Sequence, residues 1–254
     1  MQRAHNTIVD HQFGPQAQAY VASAIHSSGP DLERLATIAI AHPAAMVLDL
    51  GCGGGHASYA LAPHVAKVVA CDLSGEMLAA VAAEAARRNI ANIATRQAAA
   101  EHLPFTDGAF DMLACRMSAH HWQDLDAGLR EARRVLKRGA PAVFIDVISH
   151  GDPALDTHLQ AVELLRDPSH VRDYRFEEWS AALTRAGFAM RRTAIHALPM
   201  EFASWVARMR TPPAHVVAIR SLQSGASSAV RRAFDIADDG SFTIQIGTFE
   251  LEAC

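Results

Sequence analysis

The chain has 254 residues, 50% of them hydrophobic and 20% charged, with a formal net charge of -4. That length buries a substantial core and fits one α/β domain with a lid, and the acidic balance gives no general attraction to nucleic acid or anionic membrane. No stretch approaches the roughly 18 uninterrupted apolar residues of a membrane span, and no apolar run follows Met1-Gln2-Arg3 as in a signal peptide. Cys52, Cys71, Cys115 and Cys254 lack C-x-x-C spacing, so a reducing, cytoplasmic setting is expected. The histidines are scattered without an H-E-x-x-H or similar pattern, so no metal site is expected.

Pro15 to His26 reads as a short helix, ended by Ser27-Ser28-Gly29-Pro30. Asp31, as N-cap, opens a second helix through Ile40, with Leu32, Leu35, Ile38 and Ala39 on one face. Met46 to Leu50 is a strand that runs into Gly51-Cys52-Gly53-Gly54-Gly55, and Ala57 to Pro63 continues as a helix. A strand over Val68 to Cys71 ends beside Asp72, and Ser74 caps a helix from Gly75 to Asn89. Two further strands follow at Asn92 to Gln97 and Phe110 to Cys115, the second entered through Thr106-Asp107-Gly108. Leu125 to Leu136 is an amphipathic helix closed by Lys137-Arg138-Gly139, and Ala142 to Ile148 is apolar enough for a strand buried on both faces. Alternating strands and helices predict a parallel sheet with helices on both sides. The alternation then breaks. Helices over Pro153 to Arg166 and Phe176 to Ala186, a strand at Ala189 to Ala197, helical segments from Glu201 to Asp235 and a last strand near Ser241 to Leu251 complete the chain.

The strand, glycine turn and helix at residues 46–63 form the geometry that binds the polar part of a nucleotide-like ligand, because glycines let backbone N–H groups approach it closely. Asp72 lies about 20 residues further on, where a ribose-binding carboxylate sits. The spacing Asp49-x-Gly51-x-Gly53-x-Gly55 departs from the dinucleotide pattern G-x-G-x-x-G. An acid ahead of the first glycine suits a ligand with an ammonium and a sulfonium better than a pyrophosphate, by charge alone.

VLDLGCGGG followed by VVACDLSGEML resembles class I S-adenosylmethionine-dependent methyltransferases. The stretches AEHLPFTDGAFDMLACR, HHW and EARRVLKRGA are similar to the small-molecule branch that includes ubiquinone/menaquinone C-methyltransferases, most strongly over residues 45–150. The resemblance implies a single methyltransferase domain with a Rossmann-like, seven-stranded, mostly parallel sheet, helices on both faces and a helical lid. Its core would cover about 31–150, 176–198 and 240–254, with an N-terminal helix at 13–28 and inserted helices at 152–175 and 199–236 as the cap. It implies S-adenosyl-L-methionine as cofactor and S-adenosyl-L-homocysteine as product. Asp49 would hold the methionyl ammonium, Gly51, Gly53 and Gly55 would give backbone access, and Asp72 would bond the ribose hydroxyls. Leu73 and Met77 would wall the adenine, with Arg116 at the ligand-facing edge of the sheet. Ala99 stands where the family commonly has an acid for the adenine amine, which leaves Glu101 or the backbone around Ala100 to read the base. Tyr20 either closes over the methionine end, with His26 nearby, or is a core residue of a surface helix.

For the acceptor, His121 or His120 would serve as the base, His121 slightly favoured. Otherwise one histidine caps the following helix and the other packs on Trp122. His170, Tyr174 and Arg208 are substrate-binding candidates in a lid rich in arginine, which suits an anionic or planar ligand unless pairs such as Arg166–Asp167 and Arg172–Asp173 are only structural. Phe176, Trp179, Phe202 and Trp205 fit an aromatic or conjugated small-molecule acceptor. The expectation is in-line methyl transfer, with neither nucleic acid nor membrane as partner and a homodimer left open. An RNA or protein methyltransferase is the alternative, opposed by the acidic charge and by Cys115-Arg116-Met117-Ser118, where base-amino methyltransferases carry N-P-P-[YF]. A further alternative is a protein that binds the cofactor without methylating.

Overall fold

The structure, a computed structural model, describes residues 2–21 and 29–254. His26, and with it the end of the helix expected over Pro15 to His26, lies outside the described residues. Seven strands form one sheet: β1 (Met46–Leu50), β2 (Lys67–Asp72), β3 (Ile93–Gln97), β4 (Met112–Arg116), β5 (Pro141–Ile148), β6 (Phe188–Met200) and β7 (Phe242–Ala253). Their order is β3-β2-β1-β4-β5-β7-β6. The first five run parallel, and β7 runs antiparallel to both β5 and β6. This is a Rossmann-like sheet. Strand order reverses between β1 and β4, so the loops leaving their C-terminal ends diverge and open a crevice for a ligand.

The apolar runs dictate which strands are central. Val47, Leu48, Met112, Leu113 and Phe144 are fully buried, as strands covered on both faces require. On one face pack α3 (Pro30–Ile40), through Leu32 and Leu35, and α4 (His56–Leu61), through Ala57 and Leu61. Trp205, Ile219 and Phe234 extend that face from the cap helices α9 (Phe202–Arg208), α10 (Pro213–Ser224) and the chain after α11 (Ser228–Ala233). On the other face lie α6 (Leu125–Val135), through Leu129 and Ala132, and α8 (Phe176–Arg185), through Trp179 and Leu183. Each such large apolar side chain contributes about 1.5–3 kcal/mol by leaving water.

Some expected ends differ. Pro30 begins α3 with Gly29 as its cap, since proline loses nothing at a first-turn position whose N–H is unpaired. Asp31 therefore does not cap; it is buried and bonded to Arg116. Ser74 does precede α5 (Gly75–Arg87), but its hydroxyl makes no cap bond. Two helices, α1 (Gln2–Phe13) and α2 (Ala17–Val21), occupy the N-terminal stretch, where only the second part was expected to be helical. The insertion after β5 is α7 (Pro153–Arg166), capped by Asp152 accepting from the Ala154 amide.

Candidate active site

Gly51, Gly53 and Gly55 have φ of 70°, 47° and 82°, a backbone conformation that side chains rarely adopt. A Cβ at Gly51 would collide with Ser118, so the turn after β1 needs glycine there twice over. The turn is anchored by the Gly51 and Cys52 amides, which donate to the Cys71 carbonyl at 2.8 and 2.9 Å. Asp72, at the end of β2, accepts from the Gly53 amide at 2.8 Å and the Ser74 amide at 3.0 Å. Its carboxylate is thereby fixed at the cavity rim, with lone pairs left for a ligand's hydroxyls. Asp49 is buried under the turn, where Ser58 donates to its Oδ2 at 2.6 Å. Its Oδ1 has no partner among the described residues. Burial pushes the Asp49 carboxyl up to about 6, against the Ser58 hydrogen bond and helped by the nearby Asp72 charge.

A single cavity runs from this turn to the cap. Asp49, Gly51, Gly53, Asp72, Leu73 and Met77 line its cofactor half, with Tyr20 and Arg116 also in the wall. Ala100 and Glu101 lie on the side that follows β3. Gly55 does not line the cavity. Its α-carbon faces the Tyr59 ring, and its left-handed backbone starts α4, so Gly54 takes the wall position expected of Gly55. Tyr20 donates to Met209 Sδ at 2.9 Å, and Gln12 donates to the Met209 carbonyl at 3.0 Å. These contacts bring α1 and α2 across the cavity onto α9.

The far half holds the histidine pair. His120 Nδ1 donates to Asp146 Oδ1 at 2.6 Å, and its amide reaches Asp146 Oδ2 at 3.2 Å. Burial opposes charge on this ring, but the Asp146 carboxylate outweighs it and raises His120 to about 9. His121 goes the other way, pushed down by burial and then by the charge of His120. Its Nδ1 donates to the Ser169 carbonyl at 3.1 Å, which leaves Nε2 as the ring's acceptor. Phe13 packs edge-on against His121 with ring centroids 4.9 Å apart. Neither histidine caps α6; Asp124 does, accepting from the Ala127 amide at 2.9 Å.

Of the three acceptor-site candidates, Arg208 lines the cavity and the other two do not. His170 is buried behind His120, its Nε2 bonded to Gln160 Oε1 at 2.9 Å. Tyr174 packs edge-on against Trp179 in the opposite layer. Phe176 and Trp179 stack on Phe249 in that layer, and among the lid aromatics Trp205 alone reaches the cavity wall. Arg166 pairs with Glu163 at 3.3 Å rather than Asp167, and Arg172 with Asp156 and Glu178 rather than Asp173. Sequence reasoning missed Glu163 and Asp146, and offered Asp173 only within the polar lid stretch and as a partner for Arg172, whereas it lines the cavity. Asp146 had a signal, because a lone acid inside the apolar run of β5 demands a buried partner. Glu163 had none, being an ordinary polar position of a helix. Among the described residues no cluster of His, Cys, Asp and Glu fits a metal ion, and no helix is long and apolar enough to cross a membrane.

A tight glycine turn at the cavity wall, a ribose-type carboxylate and a buried carboxylate oxygen without a partner fit S-adenosylmethionine, whose ammonium and hydroxyls supply the missing donors. On this fold they define a class I S-adenosylmethionine-dependent methyltransferase. The chain belongs to that family: residues 48–144 match the methyltransferase domain model. It is 48% identical over 196 residues to the uncharacterized protein YafE of Escherichia coli K12, covering 77% of this chain and 95% of YafE. It is 33% identical over 224 residues to the uncharacterized methyltransferase YcgJ of Bacillus subtilis, 88% of each chain. The crystal structure of YcgJ superposes with a TM-score of 0.84, at 31% identity over 87% of this chain and 97% of the other. A demethylmenaquinone methyltransferase of Chlorobaculum parvum is 36% identical over 111 residues, 43% of this chain and 44% of its own.

Proposed function

We propose that the chain methylates a small molecule held between the His120–His121 pair and the cap. The observation that carries this reading is the covering of the cavity. Gln12 and Tyr20 tie the N-terminal helices to Met209 at the end of α9, so these helices and the cap meet over the cavity, a covering that suits a small molecule better than a bulky polymer. Val147, Leu198, Met200 and Ile244 supply an apolar floor, and Arg208 a cation. That combination suits an apolar or conjugated body with one polar group. The acidic net charge of -4 speaks against RNA as the acceptor.

In this reading Asp49 takes the ammonium on its free Oδ1, the turn from Gly51 to Gly54 walls the methionine side, and Asp72 takes the ribose hydroxyls. Leu73 and Met77 pack on the base, Ala100 offers its backbone and Glu101 its carboxylate, Tyr20 closes the methionine end, and Arg116 is held at the rim by Asp31. The bound cofactor supplies an electrophilic methyl group on sulfur. The protein's part is alignment and exclusion of water. His121, neutral at physiological pH, accepts a hydrogen bond from the acceptor's nucleophile at Nε2 and orients it. His120, held as a cation by Asp146, favours an electron-rich acceptor.

Calorimetric titration with S-adenosylmethionine and S-adenosylhomocysteine, on wild type and Asp72→Ala, tests the cofactor site. Micromolar binding weakened by on the order of 10-fold or more in the variant is expected. A panel of small-molecule acceptors is then assayed by S-adenosylhomocysteine release. Release with RNA or protein preparations and with no small molecule would sink the substrate reading.

A further inference from the structure

Six buried polar side-chain atoms lack a hydrogen-bond partner among the described residues, and five of them belong to residues that line the cavity. Asp49 and Ser74 lie with the glycine turn of the cofactor half. The other three, Asp173 Oδ2, Trp205 Nε1 and Arg208 Nε, come from the chain after β5. Buried polar groups are nearly always paired, so unmet ones gathered along one cavity mark where ligand atoms go. Two of the three are donors on one helix. Trp205 and Arg208 stand three residues apart in α9 and share a face. The Trp205 side chain is 1% exposed and is held in place: Phe242 meets it edge-on with ring centroids 4.9 Å apart, and the Arg166 guanidinium lies 4.8 Å over it. The ring cannot turn to find another acceptor for its N–H.

The charges single out Arg208. Of the cations in the cavity wall, Arg116 pairs with Asp31, His120 with Asp146 and Arg166 with Glu163. Among the described residues no carboxylate comes within ion-pair distance of Arg208, whose polar neighbour is the Tyr20 hydroxyl, kept neutral by burial. One positive charge is thus left for a ligand. Glu163, Asp167 and Asp173 line the same cavity and would repel a doubly charged group such as a phosphate. A guanidinium edge takes a carboxylate through two parallel N–H groups, and the carboxylate keeps lone pairs enough for the indole N–H as well. Resting on the reading of this half as the acceptor site, we infer that the methyl acceptor carries a single carboxylate, bonded by Trp205 Nε1 and the Nε edge of Arg208. Its apolar body lies on Val147, Leu198, Met200 and Ile244.

The test is calorimetry on the full chain saturated with S-adenosylhomocysteine. The probes are hexanoate, octanoate, benzoate and cinnamate, each against its primary amide and a phosphate monoester of like size. Wild type is expected to bind at least one acid tighter than both its counterparts, by on the order of 10-fold or more. Arg208→Gln should erase that preference while S-adenosylhomocysteine affinity stays within about threefold. Trp205→Phe, which keeps a ring and removes the N–H, should weaken the favoured acid by about fivefold. No acid preferred over its amide, or a phosphate bound as tightly as the acid, overturns the inference. So does an acid affinity unchanged in either folded variant. A loss of S-adenosylhomocysteine binding by about 10-fold in Arg208→Gln overturns it too, since the arginine then holds the cofactor's own carboxylate. If Trp205→Phe fails to fold, the half-buried Arg208→Gln decides alone. Turnover of neutral small molecules and of no acid removes this inference and leaves the small-molecule reading standing, whereas turnover of RNA or protein alone removes both.

Discussion

Asp49 and Asp72 are both acids at strand ends, yet the structure gives them different work. Asp72 sits at the rim with two amides on its oxygens, whereas Asp49 is sealed beneath the glycine turn with one oxygen unpaired. With its carboxyl pushed up to about 6 by burial, Asp49 is protonated in part at mildly acid pH, and only its ionised form pairs with an ammonium. Affinity for S-adenosylhomocysteine should therefore strengthen by on the order of 10-fold between pH 5 and 7.5, and Asp49→Asn should flatten that profile. Calorimetry across this range checks it. At the other end of the cavity, His121→Asn should lower methyl transfer by on the order of 100-fold while leaving S-adenosylhomocysteine affinity within about threefold, if the ring serves the acceptor and not the cofactor as proposed. Comparing turnover with binding separates the two. Both aspartates were legible from their places in the glycine pattern, but which one is buried was not.

Among the elements, the five parallel strands and the helices between them were read close to their true limits, because their apolar periods are long and their ends carry glycine, proline or a capping acid. The N-terminal helix α1 was not. Its apolar residues are few, Ile8 and Phe13 among them, and α1 is held by long-range contacts such as His5 to the His121 carbonyl at 2.9 Å. Helix α6 illustrates a packing demand invisible in sequence. Gly128 lies under Trp122, and a Cβ there would run into the indole ring. Gly128→Ala should destabilise by about 1–3 kcal/mol through overpacking, although alanine is the better helix former. A melting temperature lowered by ~2–10 °C is the expected reading. Unchanged or raised stability would mean that the loop carrying the histidines yields freely.

For the molecule as a whole, the His120–Asp146 pair joins the loop after β4 to the C-terminal half of β5 and ties stability to pH. His120 is raised from its ordinary 6.5 to about 9, so its contribution is complete below the unfolded value and is lost as pH climbs through 9. Asp146 is lowered despite burial, by the charge and hydrogen bond of His120, so its share is present above the unfolded carboxylate range and lost in acid. Asp146→Asn should thus cost on the order of 3 kcal/mol at pH 6, with the deficit shrinking toward pH 10. Chemical denaturation of both proteins at the two pH values measures it. What the sequence determined by itself was the parallel sheet, the glycine turn and the cofactor class, because these depend on local periodicity and on residues close together along the chain. Tertiary structure alone decided which candidates line the cavity. It put Arg208 and Trp205 in the wall, withdrew His170, Tyr174 and Gly55 from it, and brought Asp146 beneath His120. Those choices depend on how distant helices close over the sheet edge, and the direction in which a side chain finally points is set by packing partners far away in the chain.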